Sequence, residues 1–299
     1  MIVNGESDGP TILLAAGAHP PEIAAIETLK RIVREEVKPS KLKGVIISIP
    51  VQNPLAYEAV DRASPHDRGN ISGMYPGSAD GSITQRIAYA IWNEAVLQSD
   101  YSIDVHCISL PGIHCSILYD KRGKTADTNR QLHEITQAYG VTILKEKDSG
   151  PVGGWKGKFS NECLEKGIPS LIVELTDTRA IVKEAVEPGV TGLLNVLKQL
   201  SMIEGAPVKQ TCKVVNRGHI HTIEDSIRAN RSGSLNIVKE PGDPAKKGET
   251  LAVIRDVYGD DVEKVKLPFE GYVLCYSANS WVGFQAVGPG DFVADIFHK

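Results

Sequence analysis

No stretch of this chain approaches the roughly 20 consecutive apolar residues that a membrane-spanning helix needs, and no basic run appears anywhere in it. The first absence argues against a helical membrane protein. The second, with a formal charge of −4 at pH 7, argues against a nucleic-acid binder held by phosphate contacts. Cysteine is sparse and scattered. Cys107, Cys115, Cys163, Cys212 and Cys275 form no C-x-x-C pair, so neither a disulfide framework nor a thiolate zinc knuckle is expected. The glycine-rich segment 150–157 carries no Gly-Lys-Ser or Gly-Lys-Thr, so it is no phosphate loop. There is no internal repeat and no low-complexity tract. The first residues show no signal peptide or transit signature, and the expected compartment is the cytoplasm.

What is present is an alternation of strands and helices. The apolar run Leu13–Ala16 reads as a buried strand that breaks at Gly17. A helical pattern follows, with Ile23, Ile26, Leu29, Ile32 and Val33 on one face and Pro21 suited to its first turn. A second strand, Gly44–Ile49, implies a parallel pair with a right-handed crossover. Residues 51–81 are long, irregular and rich in Pro, Gly, Asp and Asn. They are either a solvated connection or a substrate-binding loop. A helix capped by Ser82 runs to Leu97, and a strand follows at 101–106. Further strands are expected at 114–119, 141–144 and 169–175. Helices are expected at 127–139, 159–166 and 181–200, the last interrupted near Pro188-Gly189.

After a linker at 203–211 the texture changes. Short strand-like runs at 213–215, 219–223, 235–238, 250–254, 271–274 and 292–296 suggest an all-β module. The expected division is therefore 1–205 and 206–299.

Three strand ends carry the chemistry. His19 follows the first strand and Glu22 opens the first helix, which places both at the carboxyl end of a strand, where open α/β sheets bind ligands. Alone, the pair is a weak pattern that a surface loop also produces. His106 ends another strand, and period-2 alternation puts Asp104 on its face. Two histidines and a carboxylate suit one Zn²⁺ with a fourth position left for water. Glu174 sits inside an otherwise apolar strand, where an ionisable group needs a partner or a task. His219 and His221 share a strand face, but no third ligand is near, so they read as structural.

These segments resemble the succinylglutamate desuccinylase/aspartoacylase family across nearly the whole chain. Ala18-His19-Pro20-Pro21-Glu22 matches its Gly-His-Gly-Asn/Asp-Glu metal string, and Ile103-Asp104-Val105-His106 its Ile-Asp-Leu-His string. Glu174 matches its general base. The segment from Asn53-Pro54 through Arg62 to Tyr75-Pro76-Gly77 matches the loop before its Phe-Pro-Gly. The resemblance implies a zinc-carboxypeptidase-like α/β/α sandwich with a mostly parallel mixed sheet, plus a C-terminal barrel-sandwich β domain resembling a biotinyl/lipoyl module. No modifiable lysine stands at a hairpin tip there, so no attached cofactor is expected.

The implied function is a zinc-dependent deacylase acting on a small N-acyl amino acid or N-acyl diamine. One Zn²⁺ per chain would be held by His19, Glu22 and His106. Glu174 would be the base and Arg62 would polarise the carbonyl, with Asn70, Arg68 and Tyr75 as substrate contacts. The partner is a small molecule, and a homo-oligomer stays open. Ser72-Gly73 stands where the family has an Asn-Arg pair that grips a substrate carboxylate, which implies altered substrate recognition. The alternatives are a carboxypeptidase-like metallopeptidase and a non-catalytic binding protein on the same scaffold.

Overall fold

The apolar runs pair into one large sheet, and side-chain alternation decides what each face meets. The structure is a computed structural model that describes residues 1–108, 111–147, 150, 154–176, 179–276 and 286–298. Strands β1 (Ile2–Asn4), β2 (Ser7–Ala16), β3 (Lys43–Ile49), β4 (Tyr101–Cys107), β5 (Cys115–Leu118), β6 (Thr142–Lys145) and β7 (Ser170–Leu175) lie in the order β1-β3-β2-β4-β7-β5-β6. Neighbours are parallel except β1 against β3 and β5 against β7. The chain leaves β2 for β3 on one side and later takes up β4 on the other. The strand order thus reverses beside β2, and a crevice opens at the carboxyl ends of β2 and β4.

The helices are α1 (Ile23–Arg31), α2 (Pro54–Ala59), α3 (Ile83–Glu94), α4 (Ala126–Tyr139), α5 (Phe159–Lys166) and α6 (Lys183–Gln199). Ile103, Val105, Leu171 and Val173 pack with Leu29 of α1, Ile135 of α4 and Val190 of α6. The opposite face, with Leu13 and Ala15, packs with Ala88 and Trp92 of α3 and Phe159 of α5. The result is the expected α/β/α arrangement. Residues 151–153 of the glycine-rich segment lie outside the described residues.

Helix α6 is continuous through Pro188, contrary to the expected interruption. Proline cannot give an N–H to the carbonyl four residues back, which here belongs to Glu184. The Nε2–H of His114 donates to that carbonyl at 3.1 Å instead. Its Nδ1 accepts from the Thr176 N–H at 3.2 Å. Burial lowers this imidazole to about 4, so it is neutral at pH 7. At Gly189 a Cβ would come within 2.7 Å of the Thr28 hydroxyl, so glycine permits the close approach of α6 to α1.

The segment 51–81 is irregular except for α2 and one 3₁₀ turn at Ile71–Gly73. Asn53 caps α2 by accepting from the Ala56 N–H at 3.2 Å, with Pro54 in the first turn. Asp67 fastens the segment to α3. It accepts from the Gly69 N–H, the Thr84 N–H, and the hydroxyls of Ser82 and Thr84.

Beyond α6 the run 213–215 forms no strand. The run at 219–223 becomes β8 (Ile220–Ile223), which joins the main sheet parallel to β6 rather than a separate module. Strands β9 (Ile227–Arg228), β10 (Gly233–Ile237), β11 (Pro244–Ala245), β12 (Thr250–Arg255), β13 (Asp261–Lys266), β14 (Gly271–Cys275), β15 (Ala286–Val287) and β16 (Phe292–His298) follow. The main sheet continues as β8-β16-β14-β11, with β9 beside β16. A second, antiparallel sheet in the order β13-β12-β10-β15 completes the C-terminal domain. Leu235, Leu251, Ile254, Val273 and Ile296 fill the core between the two sheets. His221 is buried, with its ring edge-on to Phe297 at 5.1 Å between centroids.

Two measurements check this account. His114→Leu strands the part-buried Glu184 carbonyl and the buried Thr176 N–H, and should lower unfolding free energy by about 1–3 kcal/mol in a denaturant titration. Desolvation pushes the Asp67 carboxyl up, but the hydrogen bonds from Ser82, Thr84 and Gly69 together outweigh it and hold the group below the usual carboxylate range. Its folded pKa therefore lies below its unfolded one, and its contribution is present at neutral pH and lost as pH falls below about 3.8. Asp67→Asn should cost about 1 kcal/mol at pH 7, allowing for solvent screening, with the gap from wild type closing on acidification.

Candidate metal centre

The end of β2 turns sharply because Gly17 adopts φ +62°, where a Cβ would meet the Pro50 carbonyl oxygen at 2.7 Å. Pro20 and Pro21 carry the chain through the turn, closed by the Glu22 N–H donating to the His19 carbonyl at 3.1 Å. Helix α1 begins at Ile23, so Pro21 precedes it and Glu22 is its first flanking residue. His19 and Glu22 thereby project to the same side.

His106 arrives from β4, the neighbour of β2, and is paired in register with Glu174 of β7. The Nδ1 atoms of His19 and His106 lie 2.8 and 2.9 Å from the two oxygens of the Glu22 carboxylate. One ligand atom from each of the three residues falls within 4.8 Å of the others, and all three residues are buried. The expected ligand set is thus brought together.

Each imidazole is braced from behind. His106 Nε2 is 2.9 Å from Asp104 Oδ2. Asp104 accepts in turn from the Gln52 amide at 2.8 Å, and Gln52 accepts from the Tyr75 hydroxyl at 2.6 Å. His19 Nε2 lies 3.3 Å from the Ser72 hydroxyl, which donates to Asn70 Oδ1. Both Nε2 atoms have partners away from the centre, and both Nδ1 atoms face Glu22. This is the arrangement by which outer partners orient metal-binding histidines.

The centre opens into a cavity of about 700 Å³. His19, Glu22, Arg62, Asp104, His106 and Glu174 line one wall. Ser226, Arg228, Asp291, Phe292 and Asp295 of the C-terminal domain line the other. The three expected substrate contacts do not line it. Arg68 is exposed with a left-handed backbone. Asn70 supports Ser72, and Tyr75 is buried behind Asp104 against Phe159 and Trp92. Asn70 and Tyr75 thus brace the site from outside.

Electrostatics follow from the crowding. Burial pushes the Glu22 carboxyl up, but the two histidines outweigh it and hold it down at about 2. Burial lowers His106, yet Asp104 and Glu22 together raise it well above its usual value. Burial lowers His19. Burial, with Glu22 and Asp104 near, pushes Glu174 up to about 8 against the pull of His106 and Arg62. Sequence reasoning missed Gln52 and the supporting role of Ser72. The only available signal was their position in the segment that returns past the β2 turn.

The fold and the buried donor set place the chain among α/β domains that carry their chemistry where the strand order reverses. Residues 8–200 match the succinylglutamate desuccinylase/aspartoacylase catalytic domain, and the chain belongs to that family. The N-alpha-acetyl-L-2,4-diaminobutyric acid deacetylase of Halomonas elongata is 25% identical over 271 residues, which span 87% of this chain and 74% of that protein. A succinylglutamate desuccinylase/aspartoacylase structure from Rhodobacter sphaeroides has a TM-score of 0.81 at 24% identity, covering 100% of this chain and 88% of that one. Product-bound ectoine utilization protein EutE (DoeB) from Ruegeria pomeroyi gives 0.80 at 20% identity, with the same coverage of 100% and 88%. These structures share the fold along the whole chain.

The bracing makes a direct prediction. Tyr75→Phe removes the donor to Gln52 and should lower unfolding free energy by about 1 kcal/mol with an unchanged denaturant slope.

Proposed function

We propose that the chain is a zinc-dependent deacylase that hydrolyses the amide bond of a small N-acyl amino acid or N-acyl diamine. The observation that carries this reading is the convergence of His19, Glu22 and His106 within 4.8 Å, next to a carboxyl that is not part of the set. Two nitrogens and one oxygen match the usual donors of a catalytic zinc, and Asp104 and Ser72 fix the rings that present them. Zinc bound there would polarise the scissile carbonyl and lower the pKa of water toward roughly 7.

The remaining work falls to the chain. Glu174 faces the cavity next to His106, and its elevated pKa suits a group that both takes and gives a proton near neutrality. It takes a proton as water adds to the acyl carbon. It returns that proton to the nitrogen as the C–N bond breaks, leaving a carboxylic acid and a free amine. Arg62 faces Glu22 and Glu174 and keeps its charge beside the developing oxyanion.

Charge on the cavity walls supports the choice of substrate. Among the described lining residues the side-chain cations besides the histidines are Arg62, Lys158 and Arg228, and on the C-terminal wall Asp291 and Asp295 stand with Arg228 alone. A substrate with several carboxylates meets repulsion there. The deacetylase relative, named for an N-acetylated diamino acid, fits the same preference.

The metal-free protein should bind one equivalent of zinc by titration, with affinity falling as pH drops and protons compete for the imidazoles. Glu174→Gln should keep that zinc and lower kcat by about 10²–10⁴ on N-acetyl amino acids and N-acetyl diamines. Full activity in this variant would remove Glu174 from its role.

A further inference from the structure

Part of the cavity lining is built by the C-terminal domain, and it carries the exposed side chain of Arg228. Strand β9 pairs with β16 so that Arg228 stands opposite Phe292. The guanidinium lies over the Phe292 ring at 3.8 Å from the centroid. Its Nη1 donates to the Gly290 carbonyl at 2.6 Å. The next residue is tied on both sides, with the Ala229 N–H donating to Asp291 and the Gly290 N–H to Ala229. The ring and the carbonyl together hold the guanidinium of this long, exposed side chain.

The held guanidinium has no carboxylate partner. Among the described residues, no acid lies within the 4.0 Å of an ion pair with Arg228, although Asp291 and Asp295 line the same wall. The other two cations face acids of their own: Arg62 feels Glu22 and Glu174, and Lys158 feels Glu146. One face of the Arg228 fork rests on an aromatic ring and one amino group on a carbonyl. The remaining N–H edge suits a planar, bidentate anion.

Resting on the deacylase reading above, we propose that Arg228 holds the single carboxylate of the substrate, at the end away from the scissile bond. It would take over a grip that the Ser72-Gly73 loop has no cation to supply. Asp291 and Asp295 beside it disfavour a second carboxylate and tolerate an ammonium. The substrate class is an N-acyl compound with one carboxylate and a neutral or cationic remainder.

The test uses zinc-loaded full-length protein and a panel of N-acetyl amino acids and N-acetyl diamino acids, each paired with its carboxamide. Wild type should favour the carboxylate over the carboxamide by at least about tenfold in kcat/KM, mainly through KM. Arg228→Gln should bring that ratio close to one. Arg228→Lys should keep a part of it, and added guanidinium should restore part of it to Arg228→Ala. These ratios and the rescue are readouts that a merely structural role would not move. A preference retained in Arg228→Gln, or wild-type turnover with no preference, overturns the assignment of Arg228 and leaves the deacylase reading standing. No turnover of any member by zinc-loaded wild type overturns both.

Discussion

The negative charge gathered under one wall of the cavity is the constraint on which the rest of the site depends. Glu22 and Asp104 are buried, and Glu174 looks into the same space. Taking a carboxylate out of water costs several kcal/mol unless hydrogen bonds and a cation offset it. Here Glu22 is flanked by two imidazoles, and Asp104 accepts from Gln52 and faces His106. Asp104 and Glu22 raise His106 against its burial, so this spot favours positive charge. A divalent cation between the same three ligands would satisfy that demand more fully than a proton.

The fold sets this cluster by register. Ala15 of β2 lies beside Asp104 of β4, and His106 lies beside Glu174 of β7. Alternation then sends Ile103 and Val105 into the helical layer and Asp104 and His106 toward the cavity. A slip of one residue in β4 would exchange the two sets. The C-terminal domain is fixed to this frame because β8 extends the main sheet and β16 continues it. Ile113, Leu144, Leu274 and Phe297 pack at the junction. The wall that carries Arg228 and Asp295 is therefore part of the same framework as the wall that carries the ligands.

Much of this was legible in the sequence where a period or a strand end marked it. His19 and His106 each follow or end a strand, Glu22 opens the helix after the first turn, Glu174 interrupts an apolar strand, and alternation alone placed Asp104 with His106. The family strings covered the same residues. What stayed hidden acts across long separations in aperiodic chain. Gln52 reaches Asp104 and Ser72 reaches His19 by contacts that no local pattern encodes. Tyr75 and Asn70 read as substrate contacts because they lie in a suspect loop, yet their partners turn them inward. Pro188 read as a break because the donor that spares α6, His114, is 70 residues from Glu184. Likewise β8 read as part of a small β module, since nothing local shows that β6 is its neighbour.

The most direct measurement is anomalous diffraction at the zinc edge from crystals of the zinc-loaded protein. The account predicts one strong peak at about 2.0–2.2 Å from His19 Nδ1, His106 Nδ1 and a Glu22 oxygen, with Glu174 adjacent and unligated. A zinc-loaded protein with no peak at those three atoms, or with its peak elsewhere in the chain, would contradict it.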